Sequence, residues 1–266
     1  MKLAAFSILL VVLFAWPVAA ASPTQPWSDF VETLSPAGAE QALKPFDDRD
    51  RRRSRYTPGT RGGLPLSDMD AATRAASFAF VGSVLSDHGR EMVEAIIERE
   101  AVLGRMEGRP EYRDPDLYYL AVFGSPDDGR WGLRFEGHHL SVNVTLTGDD
   151  FVSVLPLSLG ANPEKLPDTG EVLLTPVVDK AAIAAAEQTP GTLRPLLEAL
   201  LSIFPADIAS RTVTEVETAL ADGTRHATRG GFEFSGGDVS LAISGIHRNH
   251  IHITLESDRA DFGRRS

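Results

Sequence analysis

Hydrophobic spacing divides the chain into two kinds of region. From Trp27 to about Gly108 apolar residues recur at helical intervals. Trp27, Phe30, Val31 and Leu34 mark a first helix, and Ser35-Pro36 supplies an N-cap and a first-turn proline for a second, short helix that Pro45 stops. A Gly/Pro-rich loop is expected from Tyr56 to Pro65. The next helix opens at Ser67 or Asp70 and carries Ala76, Phe80 and Val84 on one face, while Ser86-Asp87 caps another carrying Met92, Ile96, Ile97 and Leu103. His88, beside Gly89, is expected as a capping or solvated residue in the short turn between them, rather than a ligand. After Asp114-Pro115 strand patterns take over. Leu117 to Phe123 is one run, and Trp131 to Thr147 and Phe151 to Leu159 flank Gly148-Asp149-Asp150, a hairpin turn. Ala181 to Glu187, Leu193 to Phe204 and Ile208 to Leu220 read as helices. Gly231 to Phe234, Val239 to Ser244 and Ile251 to Glu256 return to strands. The prediction is an α+β fold, with N-terminal helices packed on a mainly antiparallel sheet and further helices between the central hairpin and the C-terminal strands. One domain is expected over 22–266, helical at 27–108, strand-rich at 114–160, helical at 176–221 and strand-rich at 230–256.

Composition narrows the chemistry. With 42% hydrophobic and 24% charged residues in 266, the chain can bury a sizeable core, and with no cysteine it has neither disulfides, thiolate metal sites nor a cysteine nucleophile. Any metal must be held by His, Asp, Glu or Asn. Residues 1–21, with one lysine and an apolar run from Leu3 to Trp16, read as a signal peptide cleaved after Ala20 or Ala21, so a secreted or periplasmic protein is expected. An uncleaved anchor is the alternative; no later segment spans a membrane. A net charge of −11, more negative still once Lys2 is removed, argues against a nucleic-acid partner. The arginines at 49, 51, 52, 53 and 55 are interleaved with Asp47, Asp48 and Asp50 and read as a solvated, self-compensated loop. No H-E-x-x-H, G-x-S-x-G, phosphate-binding G-x-x-x-x-G-K-S/T or G-x-G-x-x-G occurs, so no nucleotide cofactor is expected.

Five of seven histidines fall in two short segments, Gly137-His138-His139-Leu140 and His247-Arg248-Asn249-His250-Ile251-His252. Read as strands, Leu140, Val142, Val144 and Leu146 share one face and His139, Ser141, Asn143 and Thr145 the other; Ile251, Ile253 and Leu255 oppose His250, His252, Thr254 and Glu256. Two such strands in one sheet put His139 beside His250 and His252. An H-x-H pair holds its imidazoles about 7 Å apart, close enough for one ion once the side chains lean together. A third imidazole completes a three-histidine face with open positions. His138 joins if Gly137 marks a bulge. Glu136 is the candidate proton acceptor, with Asn143 and Arg134 as candidate ligand-binding residues. Zinc is the first expectation for the ion, with copper or iron as rivals. The aromatic residues Tyr118, Tyr119, Trp131 and Phe135 read as core.

The chain also resembles a bacterial and fungal family known as domain of unknown function 3500. The resemblance is carried by Pro45-Phe46-Asp47-Asp48, Gly63-Leu64-Pro65-Leu66-Ser67-Asp68-Met69, Leu85-Ser86 with Gly89, Arg113-Asp114-Pro115 with Tyr118, Phe123-Gly124-Ser125-Pro126, Trp131 through Asn143, Leu159-Gly160-Ala161-Asn162-Pro163, Asn249-His250-Ile251-His252 and Asp261-Phe262-Gly263. It implies that the segments at 136–143 and 249–252 belong to one recurring pattern. The chain departs from that pattern in a shorter stretch between Asn162 and Gly231, and in Thr254-Leu255-Glu256-Ser257-Asp258 where the family has tryptophan-arginine-aspartate. The functional expectation is a metal-binding protein acting on a small substrate, as a metal-dependent hydrolase or oxidoreductase if it is an enzyme. A non-catalytic carrier and a purely structural envelope protein are the alternatives.

Overall fold

The computed structural model describes residues 22–53, 55, 57–173, 193–246 and 248–258. The expected signal peptide, the helix at 181–187, His247 and Asp261-Phe262-Gly263 lie outside the described residues. Within them, the N-terminal helices are α1 (Thr24–Thr33), α2 (Pro36–Ala42), α3 (Ala71–Ser83) and α4 (Asp87–Glu107). Their caps follow the sequence: Ser35 Oγ accepts from Gly38 N–H at 3.1 Å with Pro36 in the first turn, Asp70 accepts from Thr73 N–H at 2.8 Å, and Ser86 Oγ accepts from Gly89 N–H at 3.0 Å. α4 thus begins at Asp87, so His88 is an exposed first-turn residue rather than part of an inter-helical turn. Later helices are α5 (Arg194–Leu201) and α6 (Ala206–Leu220).

Every named strand joins one sheet, antiparallel except for one parallel pair. The strands are β1 (Leu43–Lys44), β2 (Leu64–Pro65), β3 (Tyr119–Phe123), β4 (Arg130–Gly137), β5 (Leu140–Thr147), β6 (Asp150–Ser153), β7 (Leu157–Ala161), β8 (Thr224–Thr228), β9 (Gly231–Gly236), β10 (Val239–Ser244) and β11 (Ile251–Ser257). The order β1-β3-β4-β5-β7-β11-β10-β9-β8 inserts the last strand between β7 and β10, with β2 on β3 and β6 on β5. The helices pack on the face made by Leu133, Phe135, Val142, Val144, Ile253 and Leu255, all buried, and a run of rings from Phe30 through Phe80 to Trp131 (5.9 and 6.0 Å between centroids) fills the space between α1, α3 and β4.

Four local expectations are corrected. The run from Trp131 to Thr147 is not one strand: it breaks at His138-His139 into the β4–β5 hairpin, with Gly137 paired to Leu140. Phe151 to Leu159 breaks at Pro156, which has no N–H to give a ladder. Residues around His226, whose Gly223-Thr224-Arg225 context reads as loop-like from the sequence, form β8, an exposed edge strand. Within the arginine segment Arg51 is buried with its guanidinium 4.1 Å from the Phe46 ring, so the loop is only partly solvated. The Gly148-Asp149 turn forms as expected between β5 and β6, with Gly148 at φ 57° in the first central position that a type II′ turn reserves for glycine. No helix among the described residues is long and apolar enough to cross a membrane.

Candidate metal centre

The tip of the β4–β5 hairpin is made of two histidines. His139 has φ 64°, the only positive value among the described non-glycine residues, a conformation that histidine adopts more readily than branched side chains. Positive φ at the second central residue alone matches the sign pattern of a type II turn, not the primed turns that suit strand twist. Three contacts hold it: Tyr118 Oη donates to the His138 carbonyl (2.7 Å), Glu100 Oε1 pairs with His138 Nδ1, and the same carboxylate lies 3.5 Å from His139 Nδ1. The His138 and His139 rings lie against each other, tilted by 34° with their centroids 3.5 Å apart. Across the sheet Gly160 makes room for them, since a Cβ there would stand 2.9 Å from His139 Cδ2.

The C-terminal pair arrives from β11. Ile251, Ile253 and Leu255 are buried on the helix-covered face, and His252 and Thr254 point the other way, as the alternation predicts. The β7–β11 register sets His252 opposite Gly160, which brings His250 and His252 to the hairpin tip. His139 Nε2 stands 3.0 Å from His250 Nε2, and one ring nitrogen from each of His139, His250 and His252 lies within 4.8 Å of the others. A second set, Glu100, His138 and His139, meets the same limit and shares His139, whose Nδ1 faces Glu100 and whose Nε2 faces His250.

One proton assignment satisfies the whole row. Asn162 Nδ2 donates to His250 Nδ1 (3.5 Å), His250 Nε2–H to His139 Nε2, and His139 Nδ1–H to Glu100. Burial would push the Glu100 carboxyl up, but hydrogen bonds from His138 and His139 outweigh it and leave it at about 2. Burial lowers His139 to about 3, against the opposing pull of Glu100. It lowers His252 to about 4, with help from His250 and His138, and it lowers His250 as well, ahead of the charges of His138, Arg113 and Arg248. Three neutral imidazoles beside an ionised carboxylate carry the charge that metal ligation requires, and His250 would face an ion through Nε2 only after its proton shifts to Nδ1. His138 is different: Arg113 Nη1 sits 3.0 Å from its Nδ1, and that guanidinium is anchored on Glu107 at 2.9 Å.

The other expected site residues gather elsewhere. Glu136 is buried beside Arg134 (3.1 Å) and Arg61 (3.9 Å) and accepts from Arg55 N–H at 3.0 Å. Burial raises its carboxyl above the usual range, partly opposed by Arg134. Arg134 spends its guanidinium on the arginine loop, reaching the Arg53 carbonyl (2.8 Å) and Asp50 (2.7 Å). Asn143 donates to Ser141 Oγ (3.0 Å) and the Pro156 carbonyl (2.8 Å) inside the sheet's second buried face. The structure therefore joins His138, His139, His250 and His252, and places Glu136, Arg134 and Asn143 in a separate network that reaches Asp50, Arg53, Arg55 and Arg61. The carboxylate beside the rings is Glu100, which the sequence reading passed over. Its signal was available: 93, 96, 97, 100, 103 and 104 form the buried stripe of α4, and an acid on such a stripe calls for a partner. His226, on β8, is in neither histidine group.

The family described as Protein of unknown function (DUF3500) has a sequence model that matches residues 19–192. That span contains Glu100, His138 and His139, while His250 and His252 lie beyond it. No curated protein and no solved structure matches. Because the match covers more than half of its length, the chain belongs to the DUF3500 family.

Proposed function

We propose that this is a metal-binding protein of a secreted or periplasmic compartment, in which His139, His250 and His252 hold a transition-metal ion, zinc first, with copper or iron as rivals. The observation that carries the reading is the convergence of three ring nitrogens from two elements more than a hundred residues apart, with the His139 ring oriented by a buried carboxylate. Ligating imidazoles commonly donate their second N–H to a carboxylate, which fixes the tautomer and leaves the other nitrogen free for the ion. The 3.0 Å between His139 Nε2 and His250 Nε2 is close to the roughly 3.3 Å separating two nitrogens held tetrahedrally at 2.0–2.1 Å from zinc. The set containing Glu100 and His138 is the poorer site, because Arg113 already brings a cation against His138. Three protein ligands leave a position for water, which the ion would acidify for hydrolysis of a small substrate.

The second reading, a carrier without turnover, has its own observation. Three cavities of about 770, 590 and 580 Å³ are lined by residues away from the histidine cluster. Elemental analysis of untagged protein from its native compartment, followed by calorimetric zinc titration of wild type, His252→Ala, His88→Ala and His226→Ala, tests metal binding. Binding by all but His252→Ala supports it. No ion after purification and none on reconstitution, or equal losses in all three variants, overturns it.

A further inference from the structure

We propose that Asn249 is a positioning residue for His250, acting through a brace formed by residues 162–173. This rests on the reading of the three imidazoles as a metal site. The β7–β11 ladder begins with Ile251 opposite Ala161, so His250 lies before the first paired residue. The residue preceding it is tied to Glu164 and Lys165. Asn249 Oδ1 accepts from Lys165 N–H at 2.6 Å, its Nδ2 donates to the Lys165 carbonyl at 3.0 Å, and its own carbonyl accepts from Glu164 N–H at 3.2 Å. An exposed asparagine that matches both backbone groups of a distant residue imitates a strand pair, and it does so whatever side chain stands at 165.

The partner segment is itself closed. Lys165 bridges Val172, Leu166 N–H donates to the Glu171 carbonyl (2.8 Å), and Leu173 N–H donates to the Glu164 carbonyl (3.0 Å). Its far side is tied to α4, where the buried Arg99 guanidinium reaches Glu171 at 3.4 Å. Arg99 immediately precedes Glu100. The brace therefore runs from the neighbour of the carboxylate that orients His139 to the neighbour of His250, and fixes the two rings' separation from outside the sheet. Asn162, at the start of the same segment, reaches the His250 ring itself.

Cobalt(II) reports both affinity and ligand geometry through its visible absorption, so the test is a cobalt titration of the full chain. Wild type is expected to bind and His252→Ala to lose binding. Asn249→Ala should bind about 10- to 100-fold more weakly, the usual cost of losing a group that holds a ligand in place, with a shifted spectrum and unchanged far-UV circular dichroism. Lys165→Ala, which leaves the backbone partner intact, should match wild type. Asn249→Asp, which keeps the acceptor for Lys165 N–H, should recover part of the loss. An Asn249→Ala variant with wild-type affinity and spectrum, while His252→Ala fails to bind, overturns the positioning role and leaves the metal site standing. Wild type that takes up no cobalt removes the metal reading and this proposal with it. Should Asn249→Ala unfold, Asn249→Asp carries the test, and wild-type affinity and spectrum in it overturn the role.

Discussion

His139 holds a left-handed backbone where hairpins ordinarily place Asn-Gly, and its ring is packed so closely that the opposing strand must present glycine. Strained backbone of this kind persists where the surroundings over-determine it, and it concentrates at working sites. Two predictions belong to this scale. His139→Asn keeps a side chain that tolerates positive φ, whereas His139→Val does not. The valine variant should therefore be less stable by about 1–3 kcal/mol than the asparagine variant, although both lose the ring. Paired urea melts measure the gap, and equal midpoints would show that the turn carries no strain. Gly160→Ala places a methyl 2.9 Å from His139 Cδ2 and 2.7 Å from the Ile251 carbonyl, so either the ring or β11 must yield. A loss of about 1–3 kcal/mol with weakened zinc binding is expected. Full affinity in a destabilised Gly160→Ala protein would show that the ring stays in place while the sheet gives.

At the scale of elements, α4 joins the core to the cluster. Ser86 caps its first turn and also donates to the Ser202 carbonyl at 2.6 Å, tying the helix to the end of α5. Ser86→Ala should cost about 1–2 kcal/mol, a drop of several degrees in melting temperature, and leave ion affinity unchanged because Glu100 lies more than three turns away. A change in affinity would mean that the cap helps place Glu100. Helices with strong stop and start residues were legible beforehand: Ser35-Pro36 and Ser86 sit where the chain turns. The hairpin at His138-His139 was not, because nothing in a continuous β-favouring run marks a turn without glycine or asparagine in its centre. Alternation at Ile251, Ile253 and Leu255 was enough to place His252, and it placed His139 on the right surface although the residue proved to be in a turn. For Glu136, alternation tells which face the side chain takes but not that a loop of arginines covers that face. Glu100 required helix phase and tertiary contact together.

For the molecule as a whole, the buried rings make stability depend on pH. In the unfolded chain histidines take up a proton near 6.5, whereas His139 and His252 in the folded chain resist it until about 3 and about 4. The unfolded state thus binds more protons as pH falls below 6.5, and stability, full above that value, declines toward pH 4. Glu100 adds to the loss lower down, since its folded value of about 2 lies below the ordinary 4.5. Chelator-treated protein should be clearly less stable to urea at pH 5 than at pH 7, by up to about 1.4 kcal/mol per pH unit for each such proton. His252→Ala should show a shallower dependence, and an identical slope would place the acid sensitivity elsewhere. The sheet order carries a consequence for the chain during its synthesis. β11 is the last named strand to be made, yet it sits between β7 and β10, and it delivers His252 with His250 just before it. A nascent chain can assemble the β3–β4–β5 hairpins and present His138 and His139, and β7 can pair with β5 and β10 with β9, but no strand links β7 to β10 until β11 is released from the ribosome. Closure of the sheet and assembly of the three-imidazole cluster are then one event, so a ribosome stalled before Ile251 holds a polypeptide with an open central gap and without the His250 and His252 rings.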